Sequence, residues 1–140
     1  MIGYEICEEL WNPQSTHIDM SLDGVEIMVN SSGSYMELRK AYVSVNLVRD
    51  ATAKCGGLYL FSNLRGCDGE RVYFNGCSML ALNGFIVGRT EQFGIEEVEI
   101  AVATVDLEEI RAYRNACRSR NLRASHAPAY PRYEESIYGT

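Results

Sequence analysis

Short apolar runs, separated by polar and glycine-bearing breaks, organise most of the 140 residues. Residues 2–6 are mostly apolar and run straight into Cys7, the pattern of a strand ending at a functional turn. Asn12 to Leu22 is polar and holds a proline, which predicts a loop with room for a short helix. Val25–Val29, bounded by Gly24 and Asn30, predicts a buried strand, and Asn30–Ser34 has turn chemistry. From Met36 to Lys54 the period becomes helical: Leu38, Ala41, Val45, Val48, Thr52 and Cys55 recur at gaps of three and four, and Gly56-Gly57 supplies the stop. Leu58–Phe61 predicts another buried strand, and Asn63–Arg71 a glycine-rich loop. Asn83-Gly84 sits between two apolar runs, a strong hairpin signal because both residues tolerate positive φ. Glu97–Val105 alternates as a long strand would, and Asp106 with Glu109 resembles a capping box opening a helix that buries Ile110, Tyr113 and Cys117. The stretch from His126 reads as an extended tail.

The order is strand, strand, helix, strand, hairpin, strand, helix, which is an α/β pattern with a mixed sheet. Two helices cover only one face of so apolar a sheet. The pattern therefore expects another body on the second face, either a further copy or an absent segment.

Composition adds bounds. Hydrophobic residues make up 46% and charged residues 23%, which suits one globular domain with a real core. A net charge of -6 argues against a nucleic-acid partner. No apolar run approaches the roughly 20 residues of a membrane-spanning helix, and the first residues do not read as a secretory leader. The five cysteines are odd in number and form no CxxC pair, which argues against both a zinc site and a disulfide framework. Free thiols in a reducing compartment, the cytoplasm by default, are expected. No glycine-rich phosphate-binding loop occurs, so no cofactor is expected in this segment.

Glu5-Ile6-Cys7-Glu8-Glu9-Leu10-Trp11 places a cysteine at a strand end before an acidic pair and an aromatic residue. This resembles the nucleophile region of the nitrilase superfamily. Leu22–Ile27, Asn30–Ser34, Leu38–Ala41, Ser62–Gly69, Val105–Glu108, Arg118–Leu122 and Tyr130–Arg132 look like consecutive blocks of eukaryotic-type glutamine-dependent NAD synthetases. The ordered set is far more specific than any one block. The resemblance implies a nitrilase-like α-β-β-α sandwich, here only the second half of the domain. Residues 1–127 would be a partial glutaminase domain, and 128–140 a linker toward an absent synthetase domain that uses ATP and magnesium. It further implies glutamine as substrate and a homo-oligomeric full protein, with the missing half and the synthetase domain as the other partners. The general-base Glu and the Lys of the family lie upstream of its cysteine, whereas only six residues precede Cys7.

By the same resemblance Cys7 is the catalytic nucleophile. A resting thiol has a pKa of about 8.5, so attack near neutral pH needs a base or a positive neighbour. Thiolate attack on the glutamine amide would release ammonia and leave a γ-glutamyl thioester for water to hydrolyse. The Glu8 backbone N–H would help hold the oxyanion, and its side chain the substrate amino group. Ser34 would contact the glutamine backbone. Lys40 stands where relatives carry an arginine on the substrate carboxylate, with Arg39 as the alternative register. Glu9 reads as a support, His17 as a hydrogen-bonding loop residue, and Asp68 as a turn former. Two other readings stay open: a non-catalytic remnant or association module, and another nitrilase-type amidase.

Overall fold

In the computed structural model, which describes residues 1–133, the chain opens with strand β1 (Ile2–Ile6), a 3-10 turn (Cys7–Leu10) and helix α1 (Thr16–Leu22). Strand β2 (Ile27–Ser32) and helix α2 (Lys40–Cys55) follow, then β3 (Leu58–Asn63) and two short strands, β4 (Arg65–Cys67) and β5 (Tyr73–Asn75). The hairpin β6 (Met79–Leu82) and β7 (Phe85–Arg89) precedes helices α3 (Leu107–Ala116) and α4 (Arg118–Ala124).

The main sheet runs in the order β1-β2-β3-β6-β7, with β4 and β5 forming a separate ribbon. β1, β2 and β3 are parallel, while β6 and β7 are antiparallel to their neighbours. Parallel neighbours require crossovers, and here these carry α1 and α2. Right-handed crossovers travelling in one direction put both helices on the same face. The parallel strands also end at the same edge, so the residues leaving β1, β2 and β3 meet there. The hairpin turn is formed as the sequence indicates, with φ of 48° at Asn83 and 94° at Gly84.

The helical face of the sheet holds the main core. Met28, Tyr59, Phe61, Met79 and Ala81 pack with Leu10, Met20, Val25, Val48 and Ala51. Gly3 permits the close approach of α1 to β1: a Cβ there would lie 2.7 Å from Met20 Sδ and 2.8 Å from Val25 Cγ1. On the other face Leu58, Leu82 and Ile110 form a small second cluster, edged by Ile27, Leu60, Val105 and Leu107. Beyond it Ile2, Tyr4 and Ile6 of β1 and Phe85 of β7 stay largely exposed. The two helices read from the sequence therefore lie on opposite faces, α2 on the main core and α3 on the second face, and that second face is open only in part.

Two C-terminal arginines close the amino-terminal edge of the sheet. Arg114, almost fully buried, donates to Gly56 O and Val25 O, and Arg120 donates to Cys55 O and Ser21 O. These carbonyls end α2 and α1 or precede β2, so the cations satisfy helix termini that carry partial negative charge. Burial, with Arg120 nearby, pulls the Arg114 pKa down to about 10, and the guanidinium stays charged at neutral pH. Within the segment expected to be a linker, Tyr130 packs against the main core and Arg132 grips the Asp23 carboxylate at 2.8 and 3.0 Å. Residues 134–140 lie outside the described residues.

Several elements differ from the sequence reading. β2 continues through Asn30-Ser31-Ser32, because ladder pairing with Phe61, Ser62 and Asn63 of β3 overrides their turn propensity. Helix α2 starts at Lys40, not Met36; the preceding residues are drawn away by a hydrogen bond from Met36 N to Tyr73 O, and Leu38 is 90% exposed. The glycine-rich 63–71 segment contains β4. Residues 97–105 alternate in burial but join no ladder among the described residues. The half-buried positions are Glu99, Ala101, Ala103 and Val105, while the large apolar side chains Val98, Ile100 and Val102 point outward, 73%, 78% and 80% exposed. Asp106 does cap α3, accepting from Glu108 N at 2.9 Å, but the helix buries Ile110 and Arg114 rather than Tyr113 and Cys117. Helix α4 has no counterpart in the sequence reading.

Candidate functional site

At the carboxyl-terminal edge of the parallel strands lies an open cleft of about 560 Å³. Ligands of open α/β sheets bind at this kind of edge. Its walls carry Cys7, Glu8, Ser34, Arg39 and Lys40, together with Trp11 and Tyr35. The structure thus gathers every site residue expected from the sequence around one opening.

Cys7 follows directly on β1. Its φ of 41° is unusual for a non-glycine residue and turns the chain sharply from strand into the 3-10 turn. Two side chains hold this turn. The Cys7 backbone N–H donates to Asn30 Oδ1 at 3.2 Å, and the Ile6 N–H donates to Glu9 Oε2 at 2.6 Å. The other Glu9 oxygen accepts from Thr16 Oγ1 at 2.8 Å, which gives Glu9 a supporting place behind the cleft. Glu8 is exposed at the cleft wall, and its N–H lies in the first turn of a helix, where intrahelical partners are lacking.

Ser34 is buried, and Asn63 at the end of β3 fixes its backbone. The Ser34 N–H donates to Asn63 Oδ1 at 2.8 Å, and Asn63 Nδ2 donates back to Ser34 O at 3.1 Å and to Gly76 O at 3.0 Å. Arg39, with φ of 66°, precedes α2 and is exposed, whereas only 18% of the Lys40 side chain is exposed. Lys40 Nζ lies 3.9 Å from the centre of the Tyr35 ring, 5.4 Å from that of Trp11 and 3.1 Å from Glu37 Oε2. It is a held cation at an aromatic wall rather than a solvated helix charge.

Below the cleft, on the helical face, lies a polar cluster. Glu5 is completely buried. Its carboxylate accepts from the His17 backbone N–H at 2.8 Å, contacts His17 Nδ1 at 3.1 Å, and accepts from the Tyr59 hydroxyl. Tyr59 in turn accepts from Asn30 Nδ2 at 3.0 Å. Burial raises the Glu5 pKa, but the hydrogen bonds from His17 and Tyr59 outweigh it and leave the carboxyl below its ordinary range. Burial and then the Glu5 charge push the Tyr59 phenol well up. Asp68 accepts from the backbone N–H groups of Glu70, Arg71 and Val72, the turn-forming place expected of it.

Asn30, Tyr59 and Asn63 were not singled out by the sequence reading. A signal existed: Asn30 is two residues from Met28, and Asn63 two from Phe61, so each is in phase with the buried face of its strand. A polar residue in that phase needs a partner.

The family described as carbon-nitrogen hydrolase matches residues 1–115. A glutamine-dependent NAD(+) synthetase from Drosophila melanogaster is 66% identical over 131 residues, 94% of this chain and 17% of that protein. The Homo sapiens protein of the same name is 56% identical over 131 residues, 94% of this chain and 19% of that protein. The chain thus spans less than a fifth of the length of these relatives. Among solved structures, a carbon-nitrogen hydrolase from Helicobacter pylori superposes with a TM-score of 0.71 at 22% identity, covering 87% of this chain and 45% of that one. A branch 10 member of the nitrilase superfamily from Saccharomyces cerevisiae gives 0.70 at 19% identity, covering 84% and 41%. With the family pattern running from residue 1 to 115 and its fold shared by both solved relatives, the chain belongs to the carbon-nitrogen hydrolase family.

Proposed function

We propose that this segment carries the nucleophile of a glutamine amide hydrolase that supplies ammonia for ATP-dependent conversion of deamido-NAD to NAD. The observation that carries the reading is the single cleft shared by Cys7, Glu8, Ser34 and Lys40. The Cys7 sulfur attacks the side-chain carbonyl carbon of glutamine, and the carbonyl electrons move to oxygen. Backbone N–H groups of the Cys7–Leu10 turn, that of Glu8 foremost, stabilise this oxyanion. Collapse expels the nitrogen, which leaves as ammonia after taking up a proton. Water then adds to the γ-glutamyl thioester, releasing glutamate and restoring the thiol. Ser34 binds the amino-acid end of the substrate, and Lys40 faces its carboxylate as a point charge. The held position of Lys40 supports it over the exposed Arg39.

The general base belongs outside this segment. Glu5 and Glu9 are engaged by His17, Tyr59, Thr16 and Ile6, and neither lines the cleft; of the acids that do, Glu8 serves the substrate amino group and Glu37 is paired with Lys40 at 3.1 Å. ATP and magnesium likewise act elsewhere in the complete protein. Among the described residues no three His, Cys, Asp or Glu side chains gather as a metal site. A cytoplasmic setting fits five free thiols, and no helix of the described residues is long and apolar enough to cross a membrane.

The test is covalent trapping. A diazoketone analogue of glutamine, incubated with the complete protein, should leave one adduct on Cys7 by peptide mass spectrometry, and glutamine should protect. Labelling of another cysteine, or none with activity intact, would overturn the reading.

A further inference from the structure

The polar cluster under the cleft is more than a satisfied buried charge, because its hydrogen bonds have a direction. An ionised carboxylate can only accept, so the Tyr59 hydroxyl must give its single proton to Glu5. The Tyr59 oxygen is then left as an acceptor and takes a proton from Asn30 Nδ2. That choice fixes the Asn30 amide, whose Oδ1 must point the other way, toward the Cys7 N–H. The Cys7 N–H depends on this partner because the chain leaves the β1–β2 ladder at Ile6 and Cys7 has positive φ. If the carboxylate no longer took the Tyr59 proton, the hydroxyl could donate to Asn30 Oδ1 and the amide turn over. Its NH₂ group would then face the Cys7 N–H, donor against donor. If the hydroxyl were lost, the Asn30 NH₂ would be left buried without its acceptor and the amide would lose its anchor.

We propose that Glu5 is a positioning residue, acting through Tyr59 and Asn30 to orient the Cys7 turn and aim its thiol into the cleft. The inference rests on the reading of Cys7 as the nucleophile. His17 belongs to the same device: its backbone N–H donates to Glu5 Oε2 at 2.8 Å and its Nδ1 lies 3.1 Å from Oε1, the oxygen that the Tyr59 hydroxyl also addresses, so the carboxylate is held in place from the α1 side. The alternative, a carboxylate kept only to stabilise the core, would not require a path of side chains ending on the backbone of Cys7.

The experiment uses the complete protein and steady-state glutamine hydrolysis, with the variants Tyr59→Phe, Glu5→Gln, their combination, and Cys7→Ser. Tyr59→Phe removes one hydroxyl and preserves packing. It should lower kcat about tenfold, the worth of a lost directing hydrogen bond. KM for glutamine should stay close to wild type, while the melting temperature falls by only a few degrees, because Asn30 Nδ2 and Glu5 lose one buried partner. Glu5→Gln should lower kcat similarly, and the double variant should be no slower than the worse single one, because both changes cut one path. Wild-type kcat in Tyr59→Phe, beside an inactive Cys7→Ser, would overturn the inference and leave the nucleophile reading standing. A rise in KM that parallels a fall in melting temperature would also overturn it, since that marks general loosening. Retained activity in Cys7→Ser would defeat the nucleophile reading itself, and the inference with it.

Discussion

The backbone N–H of Cys7 donates to the side-chain oxygen of Asn30 at 3.2 Å, joining the turn after β1 to the buried face of β2. This bond links the cleft above the sheet to the core below it, and it makes Glu5 relevant to both stability and chemistry. A carboxylate with a lower pKa in the folded than in the unfolded chain adds stability above its unfolded pKa, about 4.3, and loses it as pH falls through the folded value. Glu5 is such a group, held down by His17 and Tyr59 against the opposing effect of burial. Urea midpoints of the complete protein should therefore be flat near neutrality and fall below about pH 4.5. The fall should be shallower in Glu5→Gln. An identical acid limb in the two proteins would remove Glu5 from the account.

Lys40 supplies a second expectation. A charge-assisted contact with the substrate carboxylate, once lost, should raise KM for glutamine by about tenfold or more, with kcat much less affected. Lys40→Ala should show this effect, Lys40→Arg should retain most of the binding, and Arg39→Ala should change little. The measurement is a full kinetic titration with glutamine for each variant. Equal sensitivity at Arg39 would place the substrate carboxylate one residue earlier.

Much of this was legible in the sequence, and the limits have physical causes. Cys7 stood out because a cysteine at a strand end before an acidic pair has few structural explanations once the ordered blocks around it are recognised. The Asn83-Gly84 hairpin was legible because both residues tolerate the φ it needs. The start of α2 was not, because its helical period extends back over Leu38 while a tertiary hydrogen bond from Met36 N to Tyr73 O holds the chain in a loop. Residues 97–105 carry the alternation of a strand, but Val98, Ile100 and Val102 stay exposed and the segment joins no ladder among the described residues; alternation alone does not say which side is buried or whether the chain pairs. Glu5 was read only as the one acid upstream of Cys7, on the strand that enters it. The partner that the positioning proposal needs, Tyr59, lies 54 residues away in the sequence.

The exposed face of the sheet has a consequence for the 140-residue chain on its own. Ile2 is 69% exposed with Tyr4 and Ile6 open beside it on β1, and Phe85 is open at the opposite edge of the sheet. Among the described residues β1 is also an edge strand, with no strand on its outer side. Such surfaces promote self-association. The isolated chain should bind an apolar dye and elute as aggregates by size exclusion with light scattering. A monodisperse monomer with a sharp, cooperative melt would contradict this.

That isolated chain should also lack glutaminase turnover. A general base contributes about 10²–10⁴ in rate, and Glu5 and Glu9, the acids flanking the turn, are committed to hydrogen bonds that hold it. Ammonia release from glutamine should match that of its Cys7→Ala variant. Turnover that vanishes in the variant would mean that a base within these residues, or one supplied by self-association, had been overlooked.

The central claim is that Cys7 generates ammonia and does nothing else. The most direct measurement is NAD formation by the complete protein with two nitrogen donors, wild type against Cys7→Ala. With glutamine the variant should form no NAD above background, and with free ammonia it should run at close to the wild-type rate. Equal loss with both donors would show Cys7 to be structural, and retained synthesis with glutamine would show that another residue attacks the amide.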